Sequence, residues 1–144
     1  IKLIPAGAPF LKGAGLLVLA DCTAVAFPSL HRNLLKGRVV MMGCPKFDDV
    51  QEYVQKFADI FRTADIKSVT VAVMEVPCCS GMPMIVRKGM EAANRKIPLT
   101  EIVLSLSGNI LTKNQSVGRS AAEDSLRMQG SSTPFVFSGF CRPV

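Results

Sequence analysis

Soft-ligand chemistry is concentrated in three short turns of this chain, Asp21-Cys22, Gly43-Cys44-Pro45 and Pro77-Cys78-Cys79-Ser80. Cysteine thiolates suit iron-sulfur clusters, zinc and copper(I), and a cluster usually takes four of them. Cys22, Cys44, Cys78 and Cys79 supply that number and are the candidate metal ligands. In an extended chain neighbouring side chains diverge, so Cys78 and Cys79 reach one centre only if their turn bends sharply; otherwise one of them is structural. Gly43 and Gly81 allow close backbone approach, and main-chain N–H groups at a following helix start would hydrogen-bond a thiolate or cluster sulfur. Against this stands packing alone, because free cysteine is among the most buried residue types and no Cys-x-x-Cys pair pins a metal site. Cys141 is set outside the group.

Other chemistries find less to work with. His31 is the single histidine, nine residues after Cys22, a candidate fourth ligand or proton carrier weighed against an ordinary surface role. Asp21 and Glu75 border cysteine turns, where they either tune the site or serve as turn and capping residues. Gly13 and Gly15 precede an apolar run instead of following one, so no dinucleotide or Walker pattern is present. Ser80-Gly81 lacks the flanks of a nucleophile elbow, and one histidine leaves a hydrolytic triad few members. No catalytic residue is assigned. Met82, Met84 and Met90 read as core filling or a partner-facing patch.

The elements that must position the cysteines are legible as apolar runs. Leu16–Leu19, Arg38–Met42, Ser68–Val73 and Glu101–Leu106 are strand-length, rich in Val, Ile and Leu, and lack clean alternation, as strands covered on both faces should. Ile1–Ile4 is a further strand candidate. Between them, Asp48–Ala64 repeats Val50, Tyr53, Val54, Phe57, Ile60 and Phe61 along one helical face, with acidic residues at its start. Ser80–Asn94 and the shorter Ser29–Leu35 read as two more helices. Alternating strands and helices imply right-handed crossovers and a three-layer α/β domain with a mostly parallel, flavodoxin-like or Rossmann-like sheet. In such a sheet the strand carboxyl ends share one crevice, and each cysteine turn directly follows an apolar run. The expected domain covers residues 1–108, followed by a polar extension over 109–144 in which Ala121–Met128 is a weak helix and Phe135–Phe140 an edge strand.

Composition narrows the partners. A chain of 144 residues with 49% apolar and 19% charged residues supports one globular core. The formal charge of +6 is scattered, with one Tyr and no Trp to stack on bases, which disfavours nucleic acid. No run reaches the ~20 apolar residues of a bilayer span. Leu19-Ala20-Asp21-Cys22 imitates a lipoprotein start, but Lys12, Gly13 and Gly15 interrupt the apolar stretch and Asp21 is wrong for cleavage. Five cysteines, two adjacent, suit reduced thiols better than bridges, so a cytoplasmic location is expected. The sequence does not start with Met, which suggests a piece of something longer.

Ordered blocks then carry a family resemblance: Ala8-Pro9-Phe10-Leu11-Lys12-Gly13-Ala14, Ala20-Asp21-Cys22, Lys36-Gly37-Arg38, Gly43-Cys44-Pro45-Lys46, Asp48-Asp49, Ile66-Lys67-Ser68-Val69-Thr70 and Met74-Glu75-Val76-Pro77-Cys78-Cys79-Ser80-Gly81. Over roughly residues 1–108 the chain resembles the C-terminal α/β region of anaerobic ferredoxin-type iron-sulfur proteins. In that family an N-terminal ferredoxin module carries the 4Fe-4S cysteine repeats. The resemblance implies a redox context, a redox protein or such a module as partner, and no defined reaction. The expected function is an electron-transfer or accessory domain holding an iron-sulfur cluster or metal through Cys22, Cys44, Cys78 and Cys79. Its rival is a metal-free protein-docking domain, with self-association into a homo-oligomer open to either; a thiol-active enzyme is a third class.

Overall fold

A computed structural model describes residues 1–117. Its centre is a five-stranded sheet of order β2-β1-β3-β4-β5, built from β1 (Gly15–Ala20), β2 (Arg38–Gly43), β3 (Ser68–Met74), β4 (Pro98–Leu104) and β5 (Ile110–Val117). The first four strands are parallel, and β5 returns antiparallel to β4. Leu16 to Ala20 and Val69 to Met74 are buried without interruption. That is the signature of central strands covered on both faces, and it is why these runs do not alternate.

Direction of travel across the sheet decides the layers. The chain leaves β1 for β2 on one side, then crosses back over β1 to β3 and continues to β4. Right-handed crossovers therefore put α1 (Asp21–Ala26) on one face and both α2 (Val50–Thr63) and α3 (Met82–Ala92) on the other. The three-layer, mostly parallel α/β architecture is the one the apolar runs predict. Helix α2 buries Tyr53, Phe57, Ala58, Ile60 and Phe61. Its cap is Asp49, whose Oδ1 accepts the N–H groups of Gln51 at 2.7 Å and Glu52 at 3.1 Å, an arrangement worth about 1 kcal/mol. Gly89 of α3 lies so close to α2 that a Cβ there would stand 2.6 Å from the Phe57 Cβ. The small residue lets the two helices meet.

The structure also departs from the periodicity. Residues 1–4 form turns instead of a strand, and Ser29–Leu35 contracts to a π turn, His31–Leu35. Helix α1 begins at the residue after β1, so the Asp21-Cys22 turn is itself helical. Six residues are too few for a legible 3.6-residue period. The sheet continues past Gly108, because β5 pairs with β4 from Pro98↔Val117 to Leu104↔Ile110. The helix expected over Ala121–Met128 and the strand over Phe135–Phe140 lie outside the described residues, as does Cys141. No helix among the described residues is long and apolar enough to cross a membrane.

Candidate thiol site at the carboxyl edge of the sheet

Parallel pairing brings the three cysteine turns to one edge. Ala20 is the register partner of Gly43, and Leu19 that of Ala72, so β1 lies between the strands that feed the other two turns. The chain departs from β1 and β3 toward opposite faces, which opens a crevice between their carboxyl ends. Thr23, fully buried, donates its hydroxyl to the Ala72 carbonyl at 3.3 Å and ties α1 to β3 below that crevice.

On the β3 side the backbone turns sharply through a 3₁₀ helix, Pro77–Cys79. Cys79 N–H donates to the Val76 carbonyl at 3.2 Å, Ser80 N–H to the Pro77 carbonyl at 3.3 Å, and the Ser80 hydroxyl to that same carbonyl at 2.8 Å. This is the bend that two adjacent cysteines need in order to act together: their sulfurs lie 3.8 Å apart. Their surroundings differ. Cys78 is exposed, whereas Cys79 is 1% exposed. Burial, and then the hydrogen bond with Cys78, push the Cys79 thiol up to about 11, against the opposing pull of a Met74 backbone hydrogen bond. The charges of Cys78 and Cys22 act on it in the same upward direction, which puts Cys22 within electrostatic reach.

Cys44 has a different setting. It follows β2, two strands from β3, about 10 Å across the sheet. It is buried, and its backbone hydrogen-bonds to Tyr53 and Asp48. The Tyr53 hydroxyl donates to Asp48 Oδ2, and Lys2 pairs with Asp48 at 3.3 Å and Glu52 at 3.0 Å. The Tyr53 hydrogen bond holds the Asp48 carboxyl below its ordinary value, with Lys2 adding to the effect. Burial, and then Asp48, raise the Tyr53 phenol. Gly43 is required here because any Cβ would run into the Tyr53 hydroxyl.

Of the four predicted ligands the fold thus joins Cys78 and Cys79, sets Cys22 nearby and leaves Cys44 in the Asp48–Tyr53 group. Among the described residues no set of three or more His, Cys, Asp and Glu side chains is gathered to hold a metal ion. His31 is exposed in the π turn leading to β2. Glu75 takes the turn role, its Oε1 accepting the Leu106 N–H at 2.7 Å. Sequence reasoning missed the Thr23 and Tyr53–Asp48 bonds. The second had a signal in an acidic residue placed five positions before a tyrosine on the buried face of α2.

With that arrangement in view, the sequence model of the Rossmann-like domain family matches residues 8–134. The chain belongs to the Rossmann-like domain family. A curated relative, an uncharacterized protein of Archaeoglobus fulgidus, is 28% identical over 123 residues, spanning 85% of this chain and 86% of its own. No solved structure matches significantly. This Rossmann-like domain continues from β1 into Asp21-Cys22-Thr23, where a dinucleotide-binding sheet carries its glycine-rich phosphate turn. One thiol, Cys22, stands in that turn and no glycine does.

Proposed function

We propose that the domain is an iron-sulfur or metal-binding redox accessory module of a cytoplasmic, anaerobic electron-transfer system, related to the ferredoxin-type proteins its sequence blocks resemble. The observation that carries the reading is the 3.8 Å separation of the Cys78 and Cys79 sulfurs. Two thiolates on one tetrahedral metal, each bond about 2.3 Å, stand about 3.8 Å apart. A 4Fe-4S cubane takes one thiolate per iron, so this spacing favours a single soft metal or an iron bound by two cysteines over a cubane. Cys78 and Cys79 would chelate the centre, with Cys22 from the adjacent strand's turn as a further donor; Cys44, two strands away beside Asp48 and Tyr53, would not reach it. When bound, such a centre supplies one-electron transfer or a structural clasp. The chain's own part is to bury one ligand sulfur and leave the other facing a redox partner.

Anaerobic loading with iron and sulfide, and separately with cobalt(II) as a spectroscopic stand-in, tests this. Thiolate-to-metal charge-transfer bands should develop with stoichiometric metal, vanish in Cys78→Ser and in Cys79→Ala, weaken in Cys22→Ser and survive Cys141→Ser. A folded wild-type protein that stays colourless and metal-free defeats the reading.

The metal-free docking domain is supported by a different observation. Phe47 is 88% exposed and Leu106 70% exposed, both in turns at the carboxyl ends of their strands, beside the cysteine edge. Large apolar side chains there suit a protein partner, with nucleic acid and membrane disfavoured by the dispersed charge. Phe47→Ser with Leu106→Ser should leave metal loading intact and abolish partner capture.

A further inference from the structure

We propose that Cys78 and Cys79 are a two-electron thiol pair that closes to a vicinal disulfide by exchange with a low-molecular-weight disulfide. This goes beyond the metal reading and does not rest on it. Three features of the turn carry the inference. The sulfurs are already 3.8 Å apart, so a bond of about 2.05 Å requires adjustment within this one turn and no change in the rest of the fold. The members of the pair are unequal, Cys78 exposed and Cys79 buried. That is the arrangement of an attacking thiol and a resolving thiol, because an incoming disulfide reaches only the first. Finally, the pair follows β3 at the carboxyl edge of the sheet, where β1 and β3 send the chain to opposite faces and where exposed Cys78 meets solvent.

The chemistry balances with one co-reactant, RSSR. The Cys78 thiolate attacks one of its sulfurs, forming a Cys78–SR mixed disulfide and releasing RS⁻. Cys79 then attacks Cys78 Sγ, loses its proton to solvent and expels the second RS⁻. Both leaving groups end as RSH; the two protein sulfurs are oxidised by two electrons and RSSR is reduced by two. The product is strained. Neighbouring Cα atoms are about 3.8 Å apart across a trans peptide, below the usual 4.4–6.8 Å of disulfides. Strain makes such a bond easily reduced, so the pair is suited to passing electrons and not to stapling the fold.

The full chain, reduced and stripped of metal with chelator, is titrated with glutathione disulfide and digested with trypsin. Cleavage after Lys67 and Arg87 isolates Cys78 and Cys79 together in peptide 68–87, apart from the other cysteines. That peptide should lose two hydrogens without added mass, and a stoichiometric thiol reductant should restore it. In Cys79→Ala the glutathione adduct should accumulate on Cys78 unresolved. In Cys78→Ser adduct formation in this peptide should slow about tenfold or more, Cys79 being shielded. A wild-type peptide that remains reduced, that stops at the mixed disulfide, or that joins the Cys22 peptide instead overturns the proposal. Because no metal is present, none of these results depends on whether the metal reading holds.

Discussion

At the scale of single residues, the two members of the Cys78–Cys79 pair are separated by burial and not by chemistry. Deprotonating Cys79 would bury a charge, which is why its thiol is pushed up to about 11 while Cys78 faces water. In the native, metal-free protein, iodoacetamide at neutral pH should therefore label Cys22 and Cys78 about tenfold or more faster than Cys79 and Cys44. Labelling of Cys79 should keep rising until the pH nears 11. Equal rates for all four would show the crevice to be open to solvent. The raised folded value also has a stability consequence. The contribution of Cys79 is complete below the ordinary thiol range and is lost as pH climbs through about 11. Asp48 works in the other direction. Its carboxyl is held low chiefly by the Tyr53 hydroxyl, so its contribution is present above the ordinary carboxylate range and lost as pH falls through the lowered folded value. Tyr53→Phe removes the leading cause. Its thermal midpoint should lie below wild type at pH 7, with the gap closing as acidification passes the lowered Asp48 value; a gap constant with pH would assign the loss to packing.

Among the elements, the closest approach is between α2 and α3, and it runs through a glycine in a helix interior. Elsewhere that glycine would cost about 0.5–1 kcal/mol against alanine. Here alanine is the worse residue, because its Cβ would meet the Phe57 Cβ at 2.6 Å and the Ala58 nitrogen at 3.4 Å, on a neighbouring helix that cannot yield without moving. Gly89→Ala should destabilise by roughly 1–3 kcal/mol, read as a lower denaturant midpoint with unchanged slope. A neutral or stabilising result would mean that the helices can separate without loss. Since α3 follows directly from the cysteine turn, the same variant should also disturb the loading of metal on Cys78 and Cys79.

For the molecule as a whole, the sheet is closed on one side by β5, which covers the long edge of β4. A change in composition after Gly108 suggested a boundary there, yet Ile110–Val117 supplies an entire strand. A chain ended at Gly108 would expose the N–H and C=O groups of β4, and unpaired edges recruit other chains. Size-exclusion chromatography should show aggregation or oligomers for that truncation and a defined species for the full chain. A soluble, monomeric 1–108 protein with native circular dichroism would make β5 dispensable.

The apolar runs by themselves determined four strands, the long α2 helix and the α/β class, because burial on both faces leaves a record in side-chain type: Leu16–Leu19 has no polar residue, and Ser68–Val73 has only the small hydroxyls of Ser68 and Thr70. They also determined that each cysteine turn follows a strand, and so that parallel strands would carry the turns to a common edge. Hydrophobic pattern is blind below that scale. The strand Ile110–Val117 is mostly polar, its residues 110–115 are exposed, and it carries little of the buried pattern that betrays β1 and β3. The order β2-β1-β3 alone decided that Cys22 would neighbour the Cys78–Cys79 turn while Cys44 would lie two strands from it, beside Asp48 and Tyr53. The sequence lists four equivalent thiols. Tertiary structure made them unequal, because burial, hydrogen bonding and distance belong to the packed sheet and not to any residue's place in the chain.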